Sequence, residues 1–272
     1  MIFELSAPLQ EYFEGSFEAV MAVEGEVHRA KEGRRTVSFE HEGKEYFAKV
    51  HGGIGWSEVL KNYLQFKKPV VDASNEWLAA ESLQRAGVET VTIVGKGLRG
   101  RNPAIRDSFV IMDGLAERDV VEFLLKRGVS PALRRMITRK VADSARRMHA
   151  AGINHRDFYL CHFHAPERDW SEWTGEDDFV LPVMDLHRAQ LRSKVPRRWL
   201  AKDLGALLYS AIDCEVSRRE VILFLQVYLG KDWRDQVRAN QGFWKAVVAR
   251  GRAFYRKHRG QKPELPWLET PS

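Results

Sequence analysis

Short alternations of apolar and polar residues fill the first third of the chain. Arg35-Thr36-Val37-Ser38-Phe39-Glu40 alternates polar and apolar residues, as a strand with one face buried should. Gly-containing turns at Glu32-Gly33 and Glu42-Gly43-Lys44 separate it from Gly25-Glu26-Val27-His28-Arg29-Ala30 and from Tyr46-Phe47-Ala48-Lys49-Val50, so an antiparallel meander is predicted. A helix follows over residues 76–86, capped by Asp72 or Ser74 and stopped by Gly87. Val91-Thr92-Ile93-Val94 and Ser108-Phe109-Val110-Ile111-Met112 read as further strands, with a basic loop over 97–103 between them. After Asp113-Gly114-Leu115 the period becomes helical. Leu133, Met136, Ile137, Val141, Ala145 and Met148 share a helix face over 131–150, which breaks at Gly152. Phe179-Val180-Leu181-Pro182-Val183-Met184 reads as an apolar strand delivering Asp185. Helices near 202–212 and 217–229 come next, and residues 250–262 form a tail dense in Lys and Arg. The expected class is α+β. Residues 1–112 form a small β-rich portion with one key helix, and 113–115 a hinge at which Gly114 permits unusual backbone angles. Residues 116–272 form a larger, mostly helical portion.

Composition narrows the setting. With 272 residues and 44% hydrophobic content, the chain suits one large or one two-lobed globular domain. No stretch approaches the ~18 apolar residues of a membrane helix. The N-terminus carries Glu4 where a secretory leader needs a basic start, so a cytoplasmic location is expected. Cys161 and Cys214 stand apart and read as reduced thiols. The net charge of +6 favours acidic partners. An acidic acyl carrier protein fits that sign. Nucleic acid is not expected, because Arg256, Lys257 and Arg259 lack a base-reading framework around them.

The candidate chemistry lies at His155-Arg156-Asp157, at Asp185 downstream, and at Lys49 in its apolar strand. Phosphoryl transfer from ATP needs a cation on the phosphates, a carboxylate on Mg²⁺ and a second carboxylate near the attacking hydroxyl. Lys49, Asp185 and Asp157 supply these in that order. Glu76, in the first turn of the helix after Lys49, is its expected partner; Glu81 is the competing choice. His162 occupies the position at which protein kinases carry a metal-binding Asn, and it can ligate a metal or hydrogen-bond the catalytic segment. A zinc site from Cys161, His162 and His164 would lack a second ligand pair. No Gly-x-Gly-x-x-Gly covers the phosphates. Arg34 and Arg35 either take over that contact or form a solvated turn. Asp203 is expected at the start of a helix, bonding the backbone of the catalytic segment.

Several stretches together resemble a known group. They are Ala150-Ala151-Gly152-Ile153-Asn154-His155-Arg156-Asp157, Cys161-His162-Phe163, Met184-Asp185-Leu186-His187-Arg188-Ala189-Gln190, Val195-Pro196-Arg197-Arg198-Trp199 and Lys202-Asp203-Leu204. Tyr46-Phe47-Ala48-Lys49, Gly53-Ile54-Gly55-Trp56 and Glu76-Trp77 join them. The pattern is similar to that of the bacterial lipopolysaccharide core heptose kinases. The resemblance implies a two-lobed, protein-kinase-like fold. It also implies ATP- and Mg²⁺-dependent phosphorylation of an inner-core heptose at the cytoplasmic face of the inner membrane. Asp113, Gly114 and Leu115 would then face adenine. Phe158, His164 and the acidic segment 167–178 depart from the family pattern beside the catalytic segment, which bears on the choice of acceptor sugar. Another heptose, Kdo, a protein or a small molecule are the alternative acceptors, and a catalytically silent binding module is the non-enzymatic alternative.

Overall fold

Six antiparallel strands and a set of packed helices account for most of the chain. The computed structural model describes residues 1–31, 33–53, 55–64, 71–114, 118–173, 175 and 178–263. They divide into two units.

The first unit comprises Met1–Ser82, Val91–Ala116 and Asp185–Ala189. It opens with β1 (Ile2–Leu5), α1 (Ala7–Tyr12) and α2 (Phe17–Met21), followed by β2 (Glu26–Lys31), β3 (Arg34–His41) and β4 (Lys44–His51). After these come α3 (Gly55–Leu64), α4 (Ser74–Arg85), β5 (Ile93–Arg99) and β6 (Asp107–Asp113). The sheet order is β1-β5-β6-β4-β3-β2. Glu42 and Gly43, with φ of 51° and 70°, form the two-residue turn that joins β3 to β4. Two positive φ values in succession match the right-handed twist of the flanking strands, which fixes their register. One face of the sheet is covered by Leu9, Phe13, Phe17 and Val20, packed on Phe39, Tyr46 and Phe109.

The second unit comprises Leu83–Thr90, Glu117–Met184 and Gln190–Ser272. Its elements are β7 (Arg118–Val120), α5 (Val121–Arg127), α6 (Pro131–Ala150), β8 (Ile153–Asn154), β9 (His164–Pro166) and β10 (Gln190–Leu191). They continue with α7 (Arg197–Asp213), α8 (Arg218–Leu229), α9 (Trp233–Ala239) and α10 (Gln241–Arg259). Sequence sets where these helices begin. The Ser130 hydroxyl accepts from the Leu133 N–H (3.2 Å) ahead of Pro131, and Ser217 with Glu220 closes a capping box on α8. α7 packs on α10 through Leu204, Leu208, Phe243, Trp244 and Val247.

Several elements differ from the sequence expectation. Residues 179–184 are extended but form no strand. Only Val183 makes bridges, to Thr90 and Phe163. Pro182 has no N–H to give a ladder, and the Leu181 and Val183 amides donate instead to the Glu89 carboxylate (2.5 Å) and carbonyl (2.9 Å). β5 runs on to Arg99, which shortens the basic loop. α7 begins at Arg197, because Pro196 sets the extended entry to the helix (φ −61°, ψ 143°). Asp203 therefore sits in the second turn rather than at the start. The basic tail up to Arg259 is the end of α10. β1, α1, α2 and α3 had no counterpart in the sequence reading. α1 and α2 have six and five residues, too few to display a helical period.

Candidate active site

In the first unit, β4 presents Lys49 and α4 presents Glu76. The Lys49 ammonium lies 2.5 Å from Glu76 Oε1 and 3.7 Å from Asp185 Oδ1. Glu81, the competing choice, pairs with Lys96 at 2.8 Å. Burial on its own would lower the pKa of Lys49. The charges of Glu76 and Asp185 outweigh that and hold it above the ordinary lysine value, so the amine is a fixed cation. Glu76 is almost fully buried, whereas the Asp185 side chain is 38% exposed. Asp185 has left-handed backbone angles (φ 59°, ψ 58°), a conformation that Asp tolerates better than bulky residues. His187 Nδ1 lies 2.5 Å from Asp185 Oδ1 and holds the carboxylate in place.

A cavity of about 150 Å³ adjoins this cluster, lined by Arg29, Arg34, Arg35, Thr36, Lys49, His51, Asp185 and His187. Strand register explains part of the lining. Thr36 pairs with both Arg29 and Lys49, and Arg34 pairs with His51. Lys49 and His51 are two positions apart on β4 and so point to one face of the sheet. Burial and the Arg34 charge lower the His51 pKa to about 4, so this imidazole is neutral at pH 7. Arg35 borders the same cavity, but its Nη2 donates to the Met21 carbonyl at 2.6 Å. Asp113 ends β6 and its N–H donates to the Thr92 carbonyl (3.1 Å). The Gly114 N–H donates to the Glu45 carbonyl (2.7 Å), leaving no room for a side chain at that position. Leu115 lies outside the described residues.

In the second unit, the segment ahead of Asp157 is held by its backbone. Gly152 (φ 78°) ends α6, and its Cα is so close to the Arg192 carbonyl that any side chain would overlap it. Asn154 then pairs with Gln190 across β8 and β10. Asp203 is fully buried and accepts from the His155 N–H (2.7 Å) and the Arg156 N–H (2.8 Å), with His149 Nε2 at 3.4 Å. His149 Nδ1 in turn meets the Tyr228 hydroxyl at 2.9 Å. The His155 ring donates from Nε2 to the Met184 carbonyl (2.9 Å). His162 Nδ1 donates to the Asp157 carbonyl (2.7 Å), which leaves Nε2 as the nitrogen of that ring able to accept or ligate. The Asp157 side chain is half-buried. Among the described residues, no group of three or more His, Cys, Asp or Glu side chains is arranged to hold a metal.

Arg29, Thr36, His51 and His187 were not singled out from sequence. The alternation along β4 could have picked out His51, two positions beyond Lys49. Arg29 and Thr36 needed the strand register, and His187 is brought there by the turn after Asp185.

The arrangement can hold a polyanion against fixed cations and present a reachable carboxylate to a hard cation. Comparison with known proteins names the family. Residues 18–228 match the lipopolysaccharide kinase (Kdo/WaaP) family. The chain belongs to that family. It is 41% identical over 264 residues to the lipopolysaccharide core heptose(I) kinase WaaP of Pseudomonas aeruginosa, covering 94% of this chain and 97% of the relative. It is 42% identical over 240 residues to the WaaP of Escherichia coli K12, covering 85% and 88%. A solved structure of WaaP in complex with acyl carrier protein superposes with a TM-score of 0.78 at 35% identity, covering 94% of this chain and all of that one. The β-sheet N-terminal region and helical C-terminal part are therefore those of a kinase-like family. Membership makes the protein a phosphotransferase and implies ATP as the donor. No helix among the described residues is long and apolar enough to cross a membrane.

Proposed function

We propose that the protein transfers the terminal phosphate of ATP to a heptose hydroxyl of the lipopolysaccharide inner core. The observation that carries this reading is the Lys49–Glu76–Asp185 cluster beside a cavity rich in cations. ATP bound with Mg²⁺ supplies the phosphoryl group and the neutralising metal charge. Lys49 binds phosphate oxygens, and Glu76 keeps its ammonium in one position. Arg34 takes the role that glycine-rich loops have elsewhere, with Arg35 a weaker contributor because Met21 engages its guanidinium. Asp185, an oxygen ligand reachable from solvent, suits Mg²⁺. His162, in the second unit, is the other residue assigned a metal-binding role. Asp157 accepts a hydrogen bond from the acceptor hydroxyl and orients it. Asp113 and Gly114 are assigned to face adenine.

Acyl carrier protein is a fitting partner: a relative was solved in complex with it, and the chain is basic. Peripheral contact with the cytoplasmic face of the inner membrane follows from the acceptor being a glycolipid. α3 supports that contact, with Trp56, Leu60 and Leu64 spaced four apart and each more than half exposed.

The test is turnover with ATP, Mg²⁺ and purified core acceptor, followed by mass spectrometry of the product. Phosphate is expected on one heptose. Asp157→Ala should lower turnover by about 10²–10⁴-fold while the thermal midpoint barely moves. Retained turnover in that variant would remove Asp157 from the reaction. Label entering protein rather than glycolipid would favour a different acceptor.

A further inference from the structure

One side chain of α8 reaches the support of the segment that carries Asp157. Tyr228 lies in the last turn of α8, and its hydroxyl is 2.9 Å from His149 Nδ1. His149 is buried near the end of α6, with Nε2 3.4 Å from Asp203 Oδ2. Asp203, on α7, accepts from the N–H groups of His155 and Arg156 at 2.7 and 2.8 Å. A chain of polar contacts thus runs from α8 through α6 and α7 to the residue immediately before Asp157. A carboxylate only accepts, so the His149 nitrogen that faces Asp203 carries the proton. In the neutral ring Nδ1 is then an acceptor, and the Tyr228 hydroxyl donates to it. Burial and the Asp203 charge raise the Tyr228 pKa, so the phenol keeps the proton it donates. His149 is the hydrogen-bond partner of this hydroxyl among the described residues.

The distances say which contact sets the ring. At 3.4 Å the approach to Asp203 is long for a hydrogen bond and depends on how the imidazole is turned. The shorter bond from Tyr228 fixes that turn. Tyr228 also stacks on Phe224, with 5.6 Å between ring centroids, a contact that holds the phenol but gives His149 no hydrogen bond. An open cavity of about 500 Å³, whose lining includes Arg146, Ser193 and Lys194, borders both His149 and Tyr228. Without the hydroxyl, water from that cavity would reach Nδ1. Water can donate or accept, so the ring would no longer be held in one tautomer and one orientation. We propose that Tyr228 is a positioning residue for phosphoryl transfer: it fixes the His149 ring, which orients the Asp203 carboxylate toward the backbone ahead of Asp157. This role deepens the kinase reading and rests on it for the reaction served.

Kinetics and nitrogen NMR on the full chain test it together. Tyr228→Phe removes only the hydroxyl. Its kcat on core acceptor should fall about three- to tenfold, with the KM values for ATP and acceptor little changed. Phe224→Leu is the packing control. It should lower the thermal midpoint at least as much, yet leave kcat within about twofold of native. Equal losses of kcat in the two variants would reduce Tyr228 to packing and overturn the proposal, as would a native kcat in Tyr228→Phe. The second readout does not depend on catalysis. The His149 ring, assigned with His149→Gln, should show its unprotonated nitrogen at Nδ1, shifted as a hydrogen-bond acceptor. Tyr228→Phe should remove that shift and displace the His155 and Arg156 amide resonances, whereas Phe224→Leu should do neither. A proton on Nδ1 of the native neutral ring, or amides unmoved by Tyr228→Phe, would overturn the proposal. If the amides move but even the native protein phosphorylates no core acceptor, the kinase reading fails and the hold of Tyr228 on the segment stands.

Discussion

The two halves of the candidate machinery are held by different means. Around Lys49 the contacts run from side chain to side chain between ions, and one partner, Asp185, stays open to solvent. Around Asp157 the contacts run mainly from a fully buried carboxylate to backbone N–H groups, with the His155 ring donating to the Met184 carbonyl as well. The first arrangement suits groups that must exchange partners when a charged ligand arrives. The second suits a segment that must keep one shape. The difference predicts where substitutions will damage the fold and where they will damage only the reaction.

The largest effect on the fold should come from Asp203→Ala. It leaves two buried N–H donors at His155 and Arg156 unmet and removes the acid that His149 faces. Breaking a buried charged interaction of this kind costs about 3–5 kcal/mol. Urea unfolding should show that loss, and activity should fall with it. Asp203→Asn keeps the shape but offers one carbonyl oxygen to two donors, so it should fall between the variant and the native protein. A stability within error of native for Asp203→Ala would dismiss the idea that this acid holds the segment.

How far the sequence alone could foresee this contrast depends on the range of the contacts. The helix over 131–150 matches α6 at both ends, because a long apolar face, a Ser-Pro start and a Gly stop are local signals. Lys49, Glu76 and Asp185 stood out because phosphoryl transfer demands their residue types. That Asp203 would bond the backbone near Asp157 was also anticipated. Its place in the second turn of α7 was not, because Pro196 starts the helix earlier than the apolar period suggests. The lining of the cavity was hidden for a different reason. Arg34 opposite His51 is a fact of strand register, which the composition of either strand leaves open. The extended run ending at Met184 looked like a strand because its residues are apolar. Its partners are single bridges and a glutamate, long-range contacts that no local pattern encodes.

A smaller effect, confined to the reaction, is expected for Glu76→Gln. The change keeps size and leaves Lys49 with Asp185 as its one charged neighbour within 4 Å among the described residues. The ammonium then loses its fixed position. The expected cost is about 10- to 100-fold in kcat/KM for ATP, or roughly 1.4–2.7 kcal/mol of barrier. The unfolding free energy should change less than in Asp203→Ala. If the two variants lose equal stability, the distinction between an exchangeable ionic cluster and a locked backbone does not hold.

The smallest effect sharpens the comparison from the side of pH. His51 lines the cavity in the first unit, and its folded pKa of about 4 lies below the value of about 6.5 expected in an unfolded chain. Burial and the Arg34 charge disfavour its protonated form, so between these values the unfolded state binds more protons and stability rises with pH. The contribution is fully present above pH 6.5 and is lost as the pH falls toward 4. Between pH 7.5 and 5.5 this one group should remove roughly 1 kcal/mol from the unfolding free energy. His51→Gln cannot titrate, so its urea-unfolding free energy should fall less over the same interval, by about that amount. Identical pH slopes for the native protein and His51→Gln would mean that His51 is not held neutral by its surroundings. The inference that burial and the Arg34 guanidinium disfavour a charge on this ring would then fail.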